Sequence, residues 1–132
     1  MKTVTIIEFY NFRAALAALH AVNAKHARRL NQAGAAVLAT ADTGRHSRVV
    51  ALATAAKGVA TMAKAAIDHA KAGAALEAAT VALLGERRRL GESMADYLAR
   101  IQPVIDHIDT DPAPFLAMLA RNGLRLEANT HA

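Results

Sequence analysis

No proline occurs before residue 103 in this chain of 132 residues, and helical periodicity runs through most of that stretch. Proline is the residue that most surely breaks a helix, and alanine is the one that most favours it. With 34 alanines and only 7 glycines, the chain is committed to long helices. Aromatic residues make up 4% of it, too few, with the scarcity of β-branched residues, for an all-β domain. The length fits one domain. Cysteine is absent, which excludes a disulfide scaffold, a thiol nucleophile and a Cys-ligated zinc site.

The first helix has a written start. Thr5-Ile-Ile-Glu8 matches a capping box, in which Thr5 caps the helix and Glu8 reaches back. Val4 and Phe9 stand where a hydrophobic staple would. The apolar stripe then reads Phe9, Phe12, Leu16, Leu19, Ala27, Leu30, Gly34, Val37 and Leu38, with Lys25, Arg28, Arg29 and Gln32 opposite. This predicts a helix from about Thr5 to about Thr40. Asn23 falls within the stripe, where it either fixes register or lies on a wetted rim.

Ala41-Asp-Thr-Gly44 signals a turn, and a second helix follows from Arg45 or Ser47, ending between Gly85 and Gly91. Its inner stripe reads Leu52, Ala55, Val59, Met62, Ala66, Ala70 and Gly73. Its outer stripe reads Thr54, Lys57, Thr61, Lys64, Asp68 and Lys71. Ser93 caps a third helix with the stripe Met94, Leu98, Ile101, Ile105 and Ile108. Pro103 should kink it or end it near Gln102. Asp111-Pro112 opens a fourth, short helix with the apolar residues Phe115, Leu116, Met118 and Leu119, and Asn122-Gly123 closes it. The expected fold is all-α: an elongated antiparallel hairpin of two long helices over residues 1–91, and a two-helix end module over 92–132, within one structural domain.

Helices of about 35 and 40 residues are roughly 52 and 60 Å long. A compact globule of this size is only about 35 Å across. Ala53–Ala75 holds 11 alanines and three large apolar side chains, Val59, Met62 and Ile67, so a lone hairpin buries little there. Ala66, Ala70, Ala74, Ala78 and Ala82 recur every four residues and form a ridge suited to close helix packing. Two readings stand: a self-association surface, or alanine used simply as a helix former. Phe115 and Met118 are the corresponding candidates in the end module, set either against another subunit or over the open end of the hairpin.

Charge is unevenly spread. Residues 1–66 carry 9 Lys/Arg against 2 Asp/Glu, and residues 67–132 carry 7 against 9, which together give the net +5. Lys25, Arg28, Arg29, Arg87, Arg88 and Arg89 are candidate phosphate contacts. The asymmetry reads either as non-specific nucleic-acid binding or as contact between a basic shaft and an acidic protein surface. No helix-turn-helix, zinc-finger or aromatic RNA-binding pattern occurs.

Nothing in the pattern calls for chemistry. The six histidines form no i,i+4 pair and no Glu-x-x-His, so no metal or other cofactor site is expected. His69, near the inner face, reads as a packed or rim histidine, and His46 as solvated. Ser47 and Ser93 read as helix caps rather than nucleophiles. The expectation is a non-enzymatic protein. The N-terminus lacks the apolar run of a secretory signal, and no window offers the roughly 20 apolar residues of a spanning helix, so a soluble protein that stays off membranes at rest is expected.

The Ala-rich run Arg13–Leu90, the scarcity of aromatics, the lack of Trp and Cys, and the basic hairpin resemble small virion proteins of tailed bacteriophages, the internal or ejection proteins that assemble as rings or tubes. That resemblance implies a structural role in genome delivery or virion assembly, and a virion or cytoplasmic location. Secreted helical hairpins with a Trp-x-Gly turn fit less well, because the turn here is Asp42-Thr43-Gly44. Granule-coating phasins are usually acidic to neutral and Gln-rich, unlike this basic chain. The expected function is thus a subunit of a homo-oligomer or larger protein assembly. A non-specific nucleic-acid-binding protein and a membrane-active helical protein are the alternatives.

Overall fold

The computed structural model describes the backbone of residues 2–43 and 48–127, and the side chains of 2–36 and 52–127. Strand β1 (Lys2–Val4) is followed by α1 (Ile6–Thr43), α2 (Arg48–Leu84), α3 (Met94–Asp106), α4 (Ala113–Arg121) and strand β2 (Leu124–Leu126). The fold is all-α, with the two long helices packed together as a hairpin and two short helices following. The turn read from Ala41 begins later than expected, because α1 continues through Thr43. Gly44, His46, Ser47 and the tail 128–132 lie outside the described residues, as do the side chains of Val37 and Leu38.

The chain divides into two compact units, one of Met1–Leu16 with Gly73–Ala132 and one of Ala17–Ala72. The division crosses both long helices instead of falling after residue 91.

Within Ala17–Ala72, the buried positions follow a 3.5-residue repeat. On α1, Leu19 and His26 are buried, Leu30 and Ala33 half-buried, and Ala27 and Gly34 exposed, so His26 and Ala33 occupy the seam assigned to their neighbours. On α2 the period is as read but the face is reversed. Ala65 is buried, and Thr54, Gly58, Thr61, Asp68 and Ala72 are half-buried. Leu52, Val59 and Met62, expected inside, are 70%, 66% and 61% exposed. Small side chains on α2 let its backbone approach α1, which supplies the bulk.

The other unit contains the larger core: Val4, Phe12, Leu76, Leu83, Leu84, Tyr97, Ile101, Ile105, Phe115, Leu119 and Leu124. The capping box opens α1 as read. Glu8 Oε2 accepts from the Thr5 N–H at 2.7 Å and from its hydroxyl at 2.6 Å, while Thr5 Oγ1 accepts from the Ile7 N–H at 3.2 Å. Ser93 caps α3 by accepting from the Asp96 N–H at 3.1 Å. Pro103 neither stops α3 at Gln102 nor enters the core. It is exposed, and the helix runs on to Asp106. Tyr97, absent from the sequence stripe, is fully buried on that helix. Pro112 opens α4 without a side-chain cap from Asp111. Gly123, at φ +70°, ends α4 and turns Leu124 back into the core. β2 then pairs in parallel with β1, Thr3 opposite Arg125.

Helix α2 stops at Leu84, short of the expected Gly85–Gly91 window. Gly85 follows in the left-handed region, φ +73°, with its N–H donating to the Val81 carbonyl at 2.8 Å. A Cβ here would lie 2.5 Å from the Asn122 Cβ. Gly85→Ala is therefore expected to cost about 2 kcal/mol or more, combining backbone strain with a clash. Urea titration followed by circular dichroism checks this, and a cost below about 0.5 kcal/mol would refute it.

Candidate functional site

Three polar features stand out, one at the chain's helical junction and two on the hairpin. At the junction, Glu86 follows Gly85 and is buried. Its carboxylate accepts from Arg100 Nη1 at 2.7 Å, from Asn122 Nδ2 at 2.9 Å and from Arg121. Arg100 also donates to both oxygens of Glu92, at 2.9 and 3.1 Å, and lies 5.5 Å over the Tyr97 ring. Asn122 Nδ2 donates further to the carbonyls of Leu84 at 2.8 Å and Met118 at 3.0 Å, closing the end of α2 against the end of α4. The Tyr97 hydroxyl donates to the Glu86 carbonyl.

Burial pushes the Glu86 carboxyl upward, but hydrogen bonds from Asn122, Arg121 and Arg100 outweigh it and hold the group at about 2. Glu92 is held at about 2, chiefly by Arg100 and by the Arg89 N–H. Burial pushes Tyr97 up to about 12. Arg100, Arg121 and Asn122 converge on one carboxylate, so the cluster fastens helices together.

On the hairpin, His26 Nε2 donates to Asp68 Oδ2 at 2.8 Å, with Lys64 Nζ 3.6 Å from the same oxygen. The His26 hydrogen bond is the main cause lowering the Asp68 carboxyl below its ordinary value. On the opposite side of the seam, His69 Nδ1 and Asn23 Oδ1 are 2.8 Å apart. Asn23 is exposed, so it belongs to the rim and not to the core. These two pairs fix which side of α1 faces which side of α2.

Of the residues proposed for association, Ala66, Ala70, Ala74 and Ala78 are exposed and Ala82 is half-buried. For Phe115 the reading against another subunit is corrected in favour of the packed one: it is 1% exposed and its ring lies 5.5 Å from that of Phe9, which makes it core of its own chain. Met118 is half-buried, and the large hydrophobic residue that α4 leaves exposed is Leu116. The phosphate candidates Lys25, Arg28, Arg29, Arg87, Arg88 and Arg89 are all exposed. They do not form one group. Arg87–Arg89 lie on the turn after α2, beside the fully exposed Leu90 and a shallow depression lined by Glu77, Glu92 and Ser93. Lys25 and Arg29 lie on one edge of α1, while Arg28 points away from α2, as the 100° turn per residue requires.

Among the described residues, no group of three or more His, Asp or Glu could hold a metal ion, and no helix is long and apolar enough to cross a membrane. Comparison of the chain with protein-family models, curated proteins and solved structures gave no match.

The Glu86 cluster generates a pH prediction. Folded Glu86 and Glu92 bind protons less readily than their unfolded counterparts. Their stabilisation is thus complete above the ordinary value of 4.5 and is lost as pH falls towards 2. Melting temperature should drop through that window. Glu86→Gln should cost about 2 kcal/mol at pH 7 and flatten the acid limb. Thermal melts from pH 7 to 2 test this, and an unchanged acid limb in the variant would contradict it.

Proposed function

We propose that the chain is a non-enzymatic helical subunit that associates with copies of itself through the outward face of α2. The observation that supports this is the reversed face of that helix. Leu52, Val59 and Met62 are spaced by seven and three residues, are more than half exposed, and continue into Ala66 and Ala70. Such spacing is that of a helix-packing seam, and the alanines around it allow close approach. Three large apolar side chains on one exposed stripe are more than scattered surface residues account for.

A second copy is the occupant that suits the charges. Lys57, Lys64 and Lys71 stand about 160° around α2 from Val59 and Met62, so the stripe from Leu52 to Ala70 carries no charge. An isologous pairing of two such stripes about a two-fold axis leaves the lysine rows of both copies pointing away from the contact. Like charges are then kept apart without acidic partners. The compositional resemblance to virion proteins of tailed phages supports placing such a subunit in a virion assembly.

Light scattering coupled to size-exclusion chromatography tests the proposal. The chain should elute as a dimer or larger species at tens of micromolar. Val59→Glu combined with Met62→Glu should yield a monomer with unchanged helicity, because both positions are exposed in the single chain. A parent chain that is already monomeric, or a double variant that still associates, would refute it.

A further inference from the structure

The unit Ala17–Ala72 is electrically two-faced, a property separate from the apolar stripe. The contacts His26–Asp68 and Asn23–His69 mark its two sides. On the Asp68 side, the 100° step per residue aligns Lys25 and Arg29 of α1 with Lys57, Lys64 and Lys71 of α2. All five are exposed, and the one carboxylate among them, Asp68, is held by His26 and Lys64. On the Asn23 side, the described residues of the unit present His20, Asn23, Asn31 and His69, with neither lysine nor arginine.

The spacing narrows the kind of anion. Lys57, Lys64 and Lys71 repeat every seven residues, about 10.5 Å apart over about 21 Å. Lys25 and Arg29 stand one turn apart on the facing helix, about 6 Å. Alanine and glutamine fill the positions around them, so no aromatic platform or base-reading group accompanies the charge. A flat double row of cations suits a stiff polymer with evenly repeated charges. Duplex nucleic acid carries one charge per roughly 1.7 Å of axis. A bilayer surface fits less well, since the apolar stripe of α2 faces away from this plane.

We propose that this face, formed by Lys25, Arg29, Lys57, Lys64 and Lys71, docks against the phosphate backbone of duplex nucleic acid without reading its sequence. It belongs to a single chain and does not rest on self-association.

The test is fluorescence anisotropy of a labelled duplex of about 20 base pairs titrated with the full chain across a salt series. Five contacts predict a log–log salt slope of about −4.5. Lys57→Glu, Lys64→Glu and Lys71→Glu together should weaken binding at least about tenfold at low salt and make the slope shallower by about 3. The charge-matched change Arg87→Glu, Arg88→Glu and Arg89→Glu separates this face from net charge and should leave most of the affinity. Circular dichroism confirms that both variants are folded. Two duplexes of unrelated sequence should bind alike. Equal loss in both triple variants, no binding at about 50 mM salt, or tighter binding to phosphatidylglycerol vesicles or polyglutamate than to the duplex would each overturn the proposal.

Discussion

The carboxylate of Glu86 is the point on which the larger unit depends. It sits one residue beyond the glycine that ends α2, so its position is set by the backbone of a helix terminus. From there it receives Arg100 of α3 and both Arg121 and Asn122 at the end of α4. A buried carboxylate with a single partner would be costly; with three, its desolvation is offset and its charge becomes a fastening. The apolar core around Leu83, Leu84, Ile101 and Leu119 is non-directional. The directional bonds to Glu86 are what select one arrangement of three helix ends from the many that would bury the same side chains.

Much of this architecture was written locally and could be read. The Thr5–Glu8 box, the Ser93 cap and the Asn122-Gly123 stop involve residues three or fewer positions apart, so their meaning needs no tertiary context. Gly85 reads from the sequence as one bound of the window in which α2 ends. Its role appears once Asn122, far along the chain, is seen pressing against it. The Glu86–Arg100–Arg121 cluster left no signal for the same reason: its members share no motif and meet only after α3 and α4 have folded back.

The second helix shows where a pattern runs out. Its period was legible, because charged and apolar residues alternate at helical spacing. Its orientation was not, because hydrophobicity ranks faces by side-chain size and charge. Here the buried face is the one with Thr54, Gly58, Thr61, Ala65 and Asp68. Their value lies in being small enough for close approach, or in having a partner, such as His26, on the other helix. The same reversal affected the candidate surfaces. Lys57, Lys64 and Lys71 looked like an ordinary solvated face until the His26–Asp68 pair set them beside Lys25 and Arg29. Phe115 could be read either as interface or as core because its partner ring, Phe9, lies far away in the sequence.

The parallel pairing of β1 with β2 has a consequence for the order of events during synthesis. Residues 2–4 are made about 120 residues before their hydrogen-bonding partners, residues 124–126. The unit to which both belong also draws the last third of α2, together with α3 and α4, from after residue 72. The unit Ala17–Ala72, by contrast, is contiguous, and its closure needs only one hairpin loop. Helical pairing in the middle of the chain can therefore be complete while the first strand and the Phe12 side chain still wait for partners. For that interval the nascent protein presents an unpaired strand beside an uncovered aromatic ring, and the speed of translation through residues 73–126 sets how long it does so.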